Sequence, residues 1–169
     1  MRYFNGFSLS KEEELFGEYI PSGDGVVVGF SYGAIKAFEY VLSSKNRVDR
    51  LILLSPAFFQ NRKPSFIRTQ LRYFKQDMKA YIQAFSQNVA YPSKVDISNY
   101  ISDAKEDELR ELLEYRWDSK KIDILLSKGV EIEVFLGQKD KIIDSSIACE
   151  FFETFTTTYY LKGVGHLLR

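Results

Sequence analysis

The sequence predicts an α/β domain of about five mostly parallel strands flanked by helices, with a helical cap inserted between two of the strands. Three observations predict it. The runs Val26–Val28 and Leu51–Leu54 are apolar at every position, as strands covered on both faces of a parallel sheet are. Single helical segments separate the strand-like runs, the layout of successive βαβ units. From about residue 57 to residue 128, basic, aromatic and acidic helical stretches follow one another without a convincing strand, and this region reads as the cap.

Taken in order, Met1–Phe4 is strand-like and Asn5-Gly6-Phe7 breaks the run. Ser10 followed by Glu13 has the spacing of a capping box, and Leu15, Phe16, Tyr19 and Ile20 supply the apolar face of a helix that stops before Pro21. Ser22-Gly23-Asp24-Gly25 is a turn cluster, and Val26–Val28 is the next strand. A helix over 32–43 carries Ile35, Phe38 and Leu42 on one side, and a strand over 49–54 ends at Ser55-Pro56. Within the cap, helices are predicted near 64–76, 77–89, 104–117 and 119–128. A strand over 131–136, a turn at 137–140, a helix over 145–154 and a last strand over 157–161 complete the domain.

At 169 residues and 45% hydrophobic content, the chain suits one domain, 1–169, with an adequate core. Its 23 basic and 23 acidic side chains cancel, which argues against nucleic-acid binding driven by overall charge. Cys149 is the only cysteine, so no intrachain disulfide and no CxxC metal or redox motif exists, and no metal or cofactor is called for. No apolar run approaches membrane-spanning length, and the first residues lack the basic-then-apolar layout of a signal peptide. The expectation is a soluble, cytoplasmic protein.

The chemistry concentrates at Gly29-Phe30-Ser31-Tyr32-Gly33, a Gly-x-Ser-x-Gly turn between a buried strand and a helix. In such an elbow the serine sits on a tight turn where flanking side chains would collide. Ser31 is therefore a candidate nucleophile. A serine hydroxyl needs a general base, normally a histidine oriented by a carboxylate. His166 is the only histidine and follows the last predicted strand, while Asp140 follows the preceding one. All three residues fall at C-terminal ends of strands, where open parallel sheets bind ligands. Asp144 is a rival acid, less directly beyond its strand, and Cys149 reads as a small buried hydrophobe within a helix. Two backbone N–H groups are candidates for an oxyanion site: that of Tyr32 at the helix start and that of Phe7 in the loop after the first strand.

With these pieces the chain resembles the α/β-hydrolases in NGF at 5–7, GFSYG at 29–33, LILLSPA at 51–57, EVFLGQKDKI at 133–142 and GVGH at 163–166. It is most similar to the short BioV-type pimeloyl-acyl-carrier-protein methyl ester esterases of biotin synthesis. The resemblance implies a minimal α/β-hydrolase fold and hydrolysis of pimeloyl-acyl-carrier-protein methyl ester to the free acid and methanol. Ser31 would be the nucleophile, His166 the base, Asp140 its orienting acid, and Phe7 and Tyr32 the oxyanion donors. Asn5 stands where the usual hydrolase has histidine, and the usual N-terminal strands and C-terminal helix have no counterpart in these residues.

Residues 61–79 hold Arg62, Lys63, Arg68, Arg72, Lys75 and Lys79 against Asp77 alone, a local net of +5. Such a face suits an acidic acyl-carrier protein. Equally, it could pair with the stretch from Asp96 to Asp118, which has eight acids and three bases. The interleaved Phe66, Ile67, Leu71, Phe74, Tyr81 and Phe85 read as cap packing first and an acyl channel second. A generic carboxylesterase or thioesterase, or a non-catalytic binding protein on the same fold, are the alternatives.

Overall fold

A computed structural model describes all 169 residues. Five strands, β1 (Arg2–Phe4), β2 (Val26–Phe30), β3 (Arg50–Leu54), β4 (Glu131–Gly137) and β5 (Thr157–Leu161), form one sheet in sequence order. Every neighbouring pair is parallel. The strand ends that follow Phe4, Phe30, Leu54 and Gly137 therefore share one edge of the sheet, and the loops beyond them can meet. Helix α1 (Tyr32–Ser43) links β2 to β3, and α6 (Ser145–Phe152) links β4 to β5. Between β3 and β4 lie α2 (Pro64–Gln76), α3 (Met78–Ala90), α4 (Glu106–Glu114) and α5 (Ser119–Ser127). No helix is long and apolar enough to cross a membrane.

The all-apolar central strands have two cores to fill. On one face Val27, Leu51, Leu53, Ile132 and Val134 join residues of α1, α5, α6 and the inserted helices. On the other, Val28, Phe30, Ile52 and Leu54 pack with Leu15, Phe16, Leu167 and Leu168. Within the 57–128 segment, α2 packs against α3 and α4, whereas α5 packs against α1. Its last helix thus lies in the layer that flanks the sheet. The edge strand β5 is only partly covered, with Tyr159 and Tyr160 exposed.

Two predicted elements differ. The helix expected after Ser10 is a single 3-10 stretch, Glu12–Phe16, preceded by Lys11 in the left-handed region with no side-chain cap. Ser10 does not cap because its backbone is engaged elsewhere: its N–H donates to the Tyr100 carbonyl at 2.8 Å, and Ser102 N–H donates to Ser8 at 2.9 Å. The helix expected to reach residue 117 stops at Glu114. Beyond it Trp117 is held on the β3 exit, its indole N–H donating to the Ala57 carbonyl at 2.9 Å and its backbone N–H to Gln60 at 2.7 Å.

Candidate active site

Ser31 occupies the junction of β2 and α1 with φ 53°, a left-handed value that an L-residue holds only where its surroundings enforce it. The enforcement is visible. Its N–H donates to the Leu54 carbonyl at 2.8 Å, and its carbonyl accepts from Ala34 and Ala57, each at 3.1 Å. A Cβ on Gly29 would run into the Gly33 carbonyl, and one on Gly33 into the carbonyl of Phe4. Both glycines are needed for strand, turn and first loop to approach this closely.

The three residues singled out along the sheet edge meet. His166 Nε2 lies 2.9 Å from Ser31 Oγ, and His166 Nδ1 lies 2.6 Å from Asp140 Oδ2. Asp140 Oδ1 accepts from the backbone N–H groups of Ile142 at 2.7 Å and Ile143 at 3.1 Å. These donors orient the carboxylate, which in turn fixes the imidazole with Nδ1–H toward Asp140 and Nε2 toward Ser31. Asp144 is not part of this chain. It caps α6 by accepting from Ile147 N–H at 3.4 Å and Ser146 Oγ–H at 2.9 Å. Cys149 is half-buried rather than buried, with its thiol pushed up by burial and by the neighbouring Glu153 carboxylate, opposite to what a nucleophile needs.

Phe7 is buried, and its backbone N–H finds no acceptor. Tyr32 is the first residue of α1, so its N–H also has no intrahelical acceptor. Two donors are thus left without an acceptor, one directly following a serine backed by an imidazole and a carboxylate, the other in the loop after β1, whose Phe4 and Asn5 carbonyls crowd Gly33. That arrangement can accept a proton from Ser31, hold it on the imidazole, and stabilise an oxyanion. The Tyr32 hydroxyl points away toward the insertion and donates to Glu111 of α4 at 2.5 Å, with burial, then the Glu111 carboxylate, raising its pKa. Phe74 and Phe85 from α2 and α3 pack on the Phe7 ring, with centroids 6.2 and 5.7 Å away. The insertion therefore sits on the loop after β1, and Ser31 and His166 are 4% and 0% exposed.

A cavity of about 310 Å³ between the insertion and the loop after β4 is lined by Phe59, Phe66, Tyr81, Phe85, Leu112 and Ile142, with Arg62 and Lys141 among its polar residues. The Tyr81 hydroxyl, pushed up to about 12 by burial, donates to Gln70 at 3.0 Å. Three of the six residues read as possible channel lining, Phe66, Tyr81 and Phe85, line this cavity; Leu71 and Phe74 are buried in the core. Of the basic residues of 61–79, Lys75 alone reaches the acidic stretch, pairing with Glu106 at 3.2 Å. Arg62, Lys63, Arg68 and Arg72 are exposed and make no ion pair, so most of the basic face is unneutralised.

Sequence reasoning passed over two buried polar groups beside the site. Ser55, read only as a strand end, has φ 41° and is fully buried, and its hydroxyl donates to the His166 carbonyl at 2.7 Å. Glu12, one of three consecutive glutamates, is fully buried and accepts the Gly6 N–H at 2.6 Å. Nothing in the sequence separates Glu12 from Glu13 and Glu14, and a serine before proline is an ordinary strand exit.

No protein-family model and no curated protein sequence matches the chain. Solved structures do. An esterase from Exiguobacterium antarcticum superposes with a TM-score of 0.63 at 19% identity, over 83% of this chain and 59% of that one. MenH from S. aureus gives 0.62 at 13% identity, over 98% of this chain and 85% of its own. The fold is that of the α/β hydrolases. Carboxylesterase CesB from Bacillus subtilis is a further match, with a TM-score of 0.55 at 14% identity over 99% of this chain and 76% of that one. The chain spans little more than half the length of the Exiguobacterium esterase.

Proposed function

We propose that the chain is a serine carboxylesterase acting through an acyl-enzyme. The observation that carries this is the unbroken contact from Ser31 Oγ to His166 Nε2, 2.9 Å, and from His166 Nδ1 to Asp140, 2.6 Å. Ser31 Oγ attacks the ester carbonyl while its proton passes to His166 Nε2. The N–H groups of Phe7 and Tyr32 hold the oxyanion, and collapse expels the alcohol, which takes the proton from Nε2. Water then gives a proton to Nε2 and attacks the acyl-enzyme, releasing the acid and restoring Ser31–H. Asp140 keeps the imidazole oriented and stabilises its cationic form.

The substrate we propose is the methyl ester of pimeloyl-acyl-carrier protein, cleaved in the cytoplasm to pimeloyl-acyl-carrier protein and methanol. The sequence resemblance supports it, as do two structural features. The largely apolar cavity between the insertion, taken as a cap over 57–128, and the loop after β4 has a size suited to a small acyl group. Arg62, Lys63, Arg68, Arg72 and Lys75 lie along one short segment, on and beside α2, where they would attract an acidic acyl-carrier protein in a salt-dependent way. A generic carboxylesterase or thioesterase is the second reading, favoured by two structural neighbours that are an esterase and a carboxylesterase.

Fluorophosphonate labelling of Ser31, followed by turnover on pimeloyl-acyl-carrier-protein methyl ester, free short esters and the carrier thioester, tests both. Labelling in the wild type but not in Ser31→Ala supports the serine hydrolase; an unlabelled protein points to the non-catalytic binding alternative. A preference for the carrier-linked methyl ester that falls with added salt supports the substrate, and equal or better turnover of free esters rejects it.

A further inference from the structure

Glu12 is the one fully buried acid outside the Asp140–His166 contact, and the esterase cycle above does not use it. Its Oε1 accepts the Gly6 N–H at 2.6 Å and faces the Tyr3 hydroxyl at 3.4 Å, while Oε2, also buried, has no partner. Burial pushes the carboxyl pKa up, and the Gly6 N–H works against that rise. A buried carboxyl with an unsatisfied oxygen is costly. What it holds is the backbone that presents Phe7.

Gly6 is pinned on both sides. Its N–H goes to Glu12, and its carbonyl accepts the Leu9 N–H at 3.2 Å. The Gly6 carbonyl and the Phe7 N–H belong to one planar peptide and point in opposite directions. With the carbonyl turned toward Leu9, the Phe7 N–H points away from that turn, without an acceptor. The preceding peptide is equally constrained: a Cβ on Gly33 would strike the Asn5 carbonyl, and one on Gly6 would lie 2.9 Å from the Phe30 ring. Asn5 itself is exposed, and its side chain makes no hydrogen bond. The only side chain that bonds the backbone of this loop between Asn5 and Phe7 is therefore Glu12.

We propose that Glu12 is a positioning residue for the oxyanion site, its carboxyl clamping the Gly6 N–H so that the Phe7 N–H stays free and aimed at the oxyanion. The inference rests on the serine-esterase reading. Deleting one oxyanion donor costs about 10²–10³ in kcat, and misaiming a retained donor should cost about 10–100-fold. Glu12→Ala removes the clamp. Glu12→Gln keeps an oxygen acceptor for Gly6 while burying an unsatisfied amide, so it should lose stability but keep the geometry.

The test measures kcat and KM for a short aryl ester and the affinity of an aryl trifluoromethyl ketone, which adds to the serine as an oxyanion-bearing hemiketal. Glu12→Ala should lose about 10–100-fold in kcat with KM within about twofold, should lose ketone affinity by the same factor, and Glu12→Gln should recover kcat to within about threefold. A folded Glu12→Ala with wild-type kcat, a loss carried by KM, or a folded Glu12→Gln as poor as Ala would overturn the inference. NMR of the wild type needs no variant: the Gly6 amide should be downfield and exchange-protected before ligand is added, and the Phe7 amide should shift downfield only when the ketone adds. A Gly6 amide without protection overturns the clamp even if every variant fails to fold. Wild-type protein that neither turns over the ester nor takes the fluorophosphonate sinks the esterase reading and Glu12's role with it, whereas an active wild type with an unaffected Glu12→Ala sinks the Glu12 inference alone.

Discussion

Gly165→Ala should disable the site without touching any of its three principal side chains. Gly165 directly precedes His166, and a Cβ built on it would collide with the carbonyl of Tyr91, at the end of α3, and lie 2.8 Å from the Pro92 ring. Real Cβ atoms essentially never come within 3.0 Å of another heavy atom, so the two segments must part by about 1 Å. The Tyr91 ring is also engaged by Lys141, whose ammonium sits 3.5 Å from the ring centroid. If the 163–166 loop yields, a shift of about 1 Å carries His166 Nε2 from 2.9 Å to beyond hydrogen-bond reach of Ser31 Oγ. A displacement of that size costs on the order of 10²-fold in rate. Gly17→Ala is the matched control, since Gly17 has φ −53° and no atom within 4 Å of its built Cβ. The assay is the second-order rate of fluorophosphonate labelling of Ser31 together with kcat/KM on an aryl ester, each with a near-UV spectrum to check folding. Labelling of folded Gly165→Ala at the wild-type rate would refute the reasoning, because it would mean that the α3 end moves and the histidine loop does not.

Three further outcomes are expected. Asp140→Asn, which presents an amide to an imidazole and two backbone N–H groups, should lower kcat by about 10⁴, while Asp144→Asn keeps a good helix cap and should stay near wild type; equal losses would reject the assignment. Ser55→Ala leaves the buried His166 carbonyl without its 2.7 Å donor and should destabilise the fold by about 1–3 kcal/mol, read as a lower urea midpoint with unchanged m-value. The pKa of Glu12 is raised from 4.5, mainly by burial, so the folded state binds more protons than the unfolded one above that value. That contribution to stability is fully present below the unfolded pKa and is lost as pH rises through the folded one; Glu12→Gln should remove this component, and identical pH slopes for the two proteins would contradict it.

The legible part of this protein follows local rules. Val26–Val28 and Leu51–Leu54 are apolar at every position because both faces are covered, and the structure supplies the two cores that cover them. Gly29 and Gly33 flank Ser31 because two backbone segments approach where a side chain would collide. Once the strands are parallel, residues directly beyond β2, β4 and β5 must gather at one edge, which is why Ser31, Asp140 and His166 could be named from order alone. The helix after Ser10 misleads for a related reason. A capping box is a local signal, and here non-local pairing of Ser8 and Ser10 with the 100–102 segment claims the same backbone.

What tertiary structure alone decided are choices among chemically identical candidates. Glu12, Glu13 and Glu14 are equivalent as sequence, and only packing puts the first of them under Gly6. Asp140 and Asp144 are four residues apart in one turn-rich segment, and only the loop geometry sends one to the imidazole and the other to the start of α6. The basic run of 61–79 had two possible destinies, and only the placement of α4 beside α2 shows that Lys75 is paired while Arg62, Arg68 and Arg72 are not. By itself the sequence determined which residue types lie at which strand ends, because pattern and turn chemistry are short-range. Which side chain is buried, and which donor is left free, depends on contacts between segments far apart in sequence, such as His166 and Ser31, 135 residues apart, and no local pattern encodes them.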